Sequence, residues 1–549
     1  MKKFFSSIKK YADVKTVVLS CIFGFLMALS FVLGRQLDAM GMTLPGISGK
    51  AKIVFKSLML MIPIAAVSFP LFVWLCTFRS KDAKVKTKRL FAVSFLIIAL
   101  ARIPVFLAYY PAVMSYDFGR QIDEAMKGHI WFWDYQPLIH TELIRIFYLI
   151  GVKLGSIETG MALLSLFQIL VLSLVLSYSV CLVVRISGRL WIGTVLILIY
   201  AFLPLHELIT VIMTKDVLFS AFFLLFICLI YERSLKRSAL LDIAIILTAI
   251  LNIMFRKNSV YAMVVLIPCF FIYEKKFRDK ILSSILIVLC IASGLACQNA
   301  MVVGFDVIRA NSREMYSVPM MQVMRAYTYQ KDNLTQEQYD MFYRLLPLEE
   351  ERLHYDPYVA DCVKNYMDRR SDIWDGSPKA FLHDWITIGK TYPNDYIDAF
   401  LMLTRGYWYL PDRIFAEVFG VGADIGKGIL HTYNPTDAVI EGGIKETCYI
   451  PAVRRAYEQI INENGFFDWP VLNLLFRPAF YFWIIVFAVF LSFRKKNRIM
   501  WILLTYPVVY LMTLFFGPLV YIRYMYPEIL AVPVLLAAAV FLNPGKADK

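Results

Sequence analysis

No glycine-rich phosphate loop occurs anywhere in the 549 residues, and only six residues are histidine. The first absence argues against nucleotide binding. The second leaves little material for a histidine-rich metal centre. There is no internal repeat of the kind that builds solenoids or inverted-repeat transporters, and no low-complexity tract. The long apolar runs lack the strict alternation of a membrane barrel. No small-residue cleavage site follows the basic start MKKFFSSIKKYADVK, so the first apolar run reads as a retained helix and not as a signal peptide.

What the chain has in abundance is apolar surface. It is 59% hydrophobic, with a mean hydropathy of +0.60. Many windows are long enough to cross about 30 Å of hydrocarbon, and in lipid such a segment must satisfy its own backbone, as a helix does. Twelve spans are predicted, near 17–34, 53–77, 90–109, 160–184, 190–205, 215–231, 239–255, 258–274, 281–299, 471–493, 499–516 and 520–542. The fold class expected is an all-α polytopic membrane protein with a mostly helical extracytoplasmic domain. Residues 1–300 hold nine spans and an outer loop at 110–159, residues 301–470 form the outer domain, and residues 471–549 hold three spans.

The net charge of +15 is topology and not nucleic-acid affinity. Bases crowd the alternate loops RSKDAKVKTKR (79–89), YERSLKR (231–237), EKKFRDK (274–280) and FRKKNR (493–498). The positive-inside rule puts these loops, and hence both termini, in the cytoplasm. Residues 301–470 carry 25 acids and 17 bases, a net of −8, so the remainder carries +23. Of the nine cysteines, only Cys362 and Cys448 fall in this outer segment, where an oxidising compartment would allow them to pair.

At the expected outer face, charges stand at helix ends distant in sequence. MSYDFGRQIDEAMKG (114–128) brings Asp117, Arg120, Asp123 and Glu124 directly after a span. Next comes an aromatic cluster, IWFWDY (130–135), suited to the headgroup level, followed by QPLIHTEL (136–143) with Gln136 and His140. An interfacial helix is expected over about 139–154. PLHELITVIMTKDVLF (204–219) presents Lys215 and Asp216 at a helix start. Arg256 and Lys257 sit between two spans, and YIRYMYPE (521–528) opens the last span with Arg523. Each has an ordinary role open to it: Asp117 and Asp216 as helix-start acids, the bases snorkelling to headgroups, His140 as a packed histidine. Together they mark a site, because charges at a membrane boundary are costly unless paired or solvated.

These motifs resemble the glycosyltransferases of the C-type fold (GT-C), polytopic enzymes that use lipid-phosphate-linked sugars. SYD (115–117) matches that superfamily's first acid, YQPLIHT (135–141) resembles its His-Pro-Pro-Leu-like turn, TKD (214–216) matches its second acid, and IRYMYPE (522–528) resembles its late helix. PAVMSYDFGRQ, QPLIHTEL and KTYPNDYIDAFLMLTRGYWY (390–409) together resemble an uncharacterised bacterial membrane family assigned to that superfamily. There are two departures. Gln136 stands where the superfamily often has His, and two spans, an added hairpin, precede the helix leading to Asp117.

The resemblance implies an inverting transfer from a polyprenyl-phosphate sugar to an extracytoplasmic acceptor (a glycan, lipid or protein of the cell envelope) at the bacterial plasma membrane. Asp117 would be the general base, its pKa raised in a partly dry cleft. Asp216 would be the second catalytic acid. Arg120, Gln136, His140, Lys215, Arg256, Lys257 and Arg523 would bind substrate, the bases meeting the leaving phosphate. Some members place a divalent cation (Mg2+ or Mn2+) between the two acids; Asp117 and Asp216 could hold one, but an obligate metal is not expected. In the outer domain Trp374, Trp385, Tyr407, Trp408 and Tyr409 could stack on sugar, although core packing is the simpler role. The alternatives are a glycan polymerase or ligase of another fold, and a flippase or transporter of lipid-linked sugars. A non-catalytic scaffold would tolerate loss of both acids.

Overall fold

The computed structural model describes residues 10–43, 46–80, 86–309, 315–350, 353–364, 366, 378–412, 444–461 and 472–542. The stretch GVGADIGKG (420–428) and Trp374 therefore lie outside the described residues. Helices dominate, and the sheet consists of two strands of two residues each. Among the described residues, eight helices are long and apolar enough to cross a membrane: Val14–Met40, Ser48–Thr77, Thr87–Ala108, Ile157–Ser187, Lys215–Leu235, Phe277–Gly304, Pro478–Lys495 and Ile522–Phe541. Leu190–Phe202 and Pro204–Val211 make a ninth if they form one span, bent by 50°. Pro204, at the start of its helix, gives the bend a cause, since its ring cannot continue the preceding hydrogen-bond ladder. Ala239–Phe255, Ser259–Tyr273 and Arg498–Leu514 are apolar but shorter. The chain is a multi-pass membrane protein.

Every predicted span coincides with a helix. The boundaries differ most at 53–77, whose helix begins already at Gly46, and at 471–493, whose helix begins only at Pro478, after a short 3-10 turn over Leu472–Phe476. Proline is at ease in the first turn of a helix, where its missing N–H costs nothing.

The helices differ in what surrounds them. Within Ile522–Phe541, 83% of the apolar window is buried, against 17% in Ser48–Thr77. The last helix is thus the hub of the bundle, and the first hairpin presents its apolar side chains outward, for example Ile62 and Val67. Residues 315–408 build a second, separate core from Met320, Met321, Val323, Phe342, Leu345, Phe381 and Leu403. Those helices rest on one end of the bundle. Arg325 donates to the Gly41 carbonyl at 2.8 Å, Thr43 to Asp398 at 2.7 Å, and the Ala360 amide to the Pro518 carbonyl at 2.8 Å. The basic residues near 237, 274 and 494 stand at the opposite ends of the bundle helices, held by pairs such as Arg237–Glu274 at 2.9 Å and Arg494–Asp13 at 3.0 Å.

The segment beside the site is fixed by close backbone packing. Leu138–Lys153, the helix expected to lie in the interface, turns back against Ile157–Ser187 through Gly151 and Gly160. A methyl group on Gly160 would meet the Phe147 carbonyl and come within 2.9 Å of the Gly151 Cα. Because those neighbours are backbone atoms, Gly160→Ala is expected to lower stability by about 1–3 kcal/mol. A fall in the thermal unfolding midpoint of the purified protein checks it; an unchanged midpoint would mean that the two helices separate freely.

Candidate functional site

The two acids expected to act together are delivered by equivalent structures. Strand Val113–Met114 pairs in parallel with strand Ile212–Met213, with Val113 opposite Ile212 and Met114 opposite Met213. Each strand runs straight into a helix whose N-cap is a hydroxyl residue. Ser115 caps Tyr116–Lys127, and Thr214 caps Lys215–Leu235. The sequences VMSYD (113–117) and IMTKD (212–216) are therefore the same device used twice, a short local repeat that a search for long repeats misses. The Ser115 hydroxyl donates across to the Met213 carbonyl at 2.7 Å, tying the two turns together. Each acid stands at the second helical position, where a carboxylate favours the helix dipole. Neither is left to that role.

Three cations converge on them. Lys215 Nζ lies 3.3 Å from Asp117 Oδ2, and Arg523 Nη1 lies 3.2 Å from the same oxygen. Arg256 reaches Asp216 Oδ1 with Nη2 at 2.5 Å and Nε at 2.9 Å. Arg523 Nε is 3.8 Å from Asp216 Oδ2, so this arginine bridges the two acids. Lys215 also donates to the Gln136 side-chain oxygen. The ring of Tyr524 lies under both guanidiniums, 4.5 Å from Arg256 and 5.2 Å from Arg523, and holds them in cation–π contact. Asp216 is fully buried, whereas Asp117, Lys215 and Arg523 keep 17%, 15% and 23% of their side-chain surface exposed. The accessible rim is thus one carboxylate between two cations.

The electrostatics correct one expectation. Burial alone would raise the Asp117 pKa, but the facing Lys215 ammonium and Arg523 guanidinium outweigh it and hold the carboxyl well below its usual range. Burial instead raises the pKa of two other acids of this helix, Asp123 and, further, Glu124, which is pushed up to about 7. It stands two turns beyond Asp117 and accepts the Trp133 amide at 3.4 Å.

The remaining expected site residues fall into two groups. Gln136 is buried in the cluster through Lys215. His140 is fully buried behind it, its Nδ1 2.9 Å from Gln121 Oε1 and its ring edge-on to Phe255. Burial, followed by the nearby Lys215 charge, pushes its pKa down to about 3, so it stays neutral at physiological pH. Two residues leave the cluster. Lys257 turns away from its neighbour Arg256 to pair with Asp134 at 2.7 Å. Arg120 is exposed one turn before Glu124. The aromatics Trp385, Tyr407, Trp408 and Tyr409 pack inward: Tyr407 and Tyr409 are buried, and the Trp385 Nε1 donates to Gln322. Cys362 and Cys448 are both free. Residues not anticipated are the caps Ser115 and Thr214, Gln121 and Tyr524; Glu124 stands out in the sequence as a charge after the span but not as a site residue.

A divalent cation does not suit this donor set. The two carboxylates already face three cations, and among the described residues no group of three His, Cys, Asp or Glu side chains converges on a common point. The cluster instead carries a net charge of +1, and its exposed donors, Lys215 and Arg523, are those that bind phosphate or other oxyanions.

A family model matches residues 134–546, described as a family of unknown function (DUF6020). The match contains Gln136, His140, Lys215, Asp216, Arg256, Lys257 and Arg523; Asp117 and Arg120 precede it. No curated protein and no solved structure matches the chain.

Proposed function

The chain belongs to the DUF6020 family, and because that description names no activity we propose one from the site: a membrane glycosyltransferase that moves a sugar from a polyprenyl-phosphate donor to an acceptor hydroxyl. In this reading the nine long or bent spans and the three short apolar helices make twelve, in a GT-C-like arrangement. Both termini are cytoplasmic, residues 301–470 are extracytoplasmic, and the membrane is the bacterial plasma membrane.

The observation that carries the proposal is the +1 cluster at a helix-bundle end, with one accessible carboxylate flanked by Lys215 and Arg523. The acceptor oxygen attacks the anomeric carbon while the bond to the phosphate oxygen breaks. The electron pair leaves with the lipid phosphate, whose growing charge Lys215 and Arg523 meet. The acceptor proton passes to Asp117, and the single displacement inverts the anomeric centre. Asp117 is a weak base while both cations face it. A donor phosphate that draws Lys215 and Arg523 toward itself removes what holds the carboxyl pKa down, so the base strengthens when the donor is bound. Asp216, fully buried, orients Arg256 and Arg523 and touches no substrate.

A second assignment of the base has one observation in its favour: Glu124, on the same helix, has its pKa pushed up to about 7, near the ideal for general-base work. The whole proposal is tested by incubating the purified full-length protein with radiolabelled polyprenyl-phosphate sugars of several kinds. Release of sugar from one donor, saturable and dependent on protein, is the expected result. Tight binding of donors together with their movement across proteoliposomes, without release, would replace the transferase by a flippase.

A further inference from the structure

The first hairpin, Val14–Met40 with Gly46–Thr77, contributes nothing to the charged cluster and precedes the family match. It nevertheless has a chemically defined groove of its own. At the end of the bundle where the 315–412 helices rest, a groove of about 480 Å³ opens between the two helices, lined by Phe31, Val32, Arg35, Lys52, Ile53 and Lys56 among others. We propose that this groove binds the phosphate headgroup of an anionic glycerophospholipid, whose acyl chains lie along the apolar side of the hairpin. The proposal is independent of the glycosyltransferase reading.

Charge is the first argument. Arg35, Lys52 and Lys56 meet in one groove, and among the described residues no acid pairs with any of them. The acid nearest in sequence, Asp38, is engaged by Arg405 at 2.6 Å. Lys52 and Lys56 are one helical turn apart, a like-charge spacing that repels unless an anion sits between them. Arg35 adds a planar fork that can donate two hydrogen bonds to a phosphate.

Depth is the second argument. A helix of 27 residues is about 40 Å long, some 10 Å more than the hydrocarbon it crosses. Arg35, five residues before the helix end, lies about 7.5 Å below it, near the boundary of hydrocarbon and headgroups and within snorkelling reach of the phosphates. The third argument is the surface below the cations. Phe55, Met59, Ile62 and Val67 are exposed along the second helix, from beside Lys56 in sequence toward the middle of the span. A cationic mouth above an apolar face fits an anionic amphiphile with its chains in the bilayer, and fits a soluble phosphate poorly.

The test uses the full-length protein in phosphatidylcholine nanodiscs carrying a trace of either a photo-crosslinkable phosphatidylglycerol or its phosphatidylcholine counterpart. Crosslinks from the phosphatidylglycerol probe are expected within residues 31–60. The combined variant Arg35→Gln, Lys52→Gln, Lys56→Gln is expected to lower them at least about tenfold, since each base near a lipid surface contributes severalfold to anion binding. Millimolar inorganic phosphate should not compete. Equal labelling by the two probes, or phosphatidylglycerol crosslinks elsewhere in the wild-type chain, overturns the proposal without need of the variant. Competition by inorganic phosphate would make the groove a free-anion site, and stronger labelling by a polyprenyl-phosphate probe would assign it to the donor; either outcome overturns the proposal as stated.

Discussion

Asp117→Asn is expected to lower sugar transfer by at least about a hundredfold while the protein still folds, because removing a general base commonly costs two to four orders of magnitude. The substitution keeps the shape and one hydrogen-bond acceptor for Lys215 and Arg523. Both cations are part-exposed and can rehydrate, so the structural penalty is small. The pH profile adds an independent readout. A general base must be deprotonated to act, and the cations hold Asp117 below its ordinary 3.8. With Asp117 as base, kcat/KM therefore stays flat as pH falls from about 8 to about 5, because that profile reports the free enzyme. Glu124, at about 7, predicts a tenfold loss per pH unit below 7. Assaying Asp117→Asn beside Glu124→Gln across that range decides between them. If Glu124→Gln abolishes transfer and the wild-type rate falls below pH 7, Glu124 is the base and Asp117 only anchors the cations.

The helices were legible in the sequence because lipid imposes a simple rule, a long uncharged run for each crossing. The boundary at 471 was misjudged because VLNLLF is as apolar as a span, while the helix waits for Pro478 to start it. In the site, Asp117, Lys215, Asp216, Arg256 and Arg523 could be found because charges at helix ends near a membrane stand out. Their pairing could not. Two-residue strands have no periodicity, and VMSYD and IMTKD stand 99 residues apart (212 − 113) and share only their Met and Asp. Arg256 and Lys257 look alike in sequence, yet Arg256 is the C-cap residue of its helix and points at Asp216 whereas Lys257, one residue on, points at Asp134. The direction of the Asp117 pKa was misread for the same reason: exposure and burial can be guessed from sequence, but the identity of the charge 3 Å away is a tertiary fact.

The buried acid should behave differently from the accessible one. Asp216→Ala is expected to destabilise the protein by about 3–5 kcal/mol, the usual result of stranding a buried charge. Asp216 has no exposed surface, and its removal leaves Arg256 facing Arg523 with one carboxylate between three cations. It also removes the acid that follows the Thr214 cap, whose hydroxyl is 3.2 Å from Asp216 Oδ2. Asp216→Asn keeps an acceptor for the Arg256 fork but loses the charge, so it should fall between Ala and wild type. The decisive variant is the double one. Removing the excess charge as well, with Asp216→Asn and Arg256→Gln, should recover part of the loss, because neither partner then strands the other. Thermal midpoints and monodisperse yield in detergent provide the measure. If Asp216→Ala folds as well as wild type and loses only transfer, Asp216 acts on the substrate directly and both acids belong to the chemistry. If the double variant is no better than Asp216→Ala, Arg256 is held by its contacts with Tyr524 and Phe219, and the charge pair is not what joins the two helix ends.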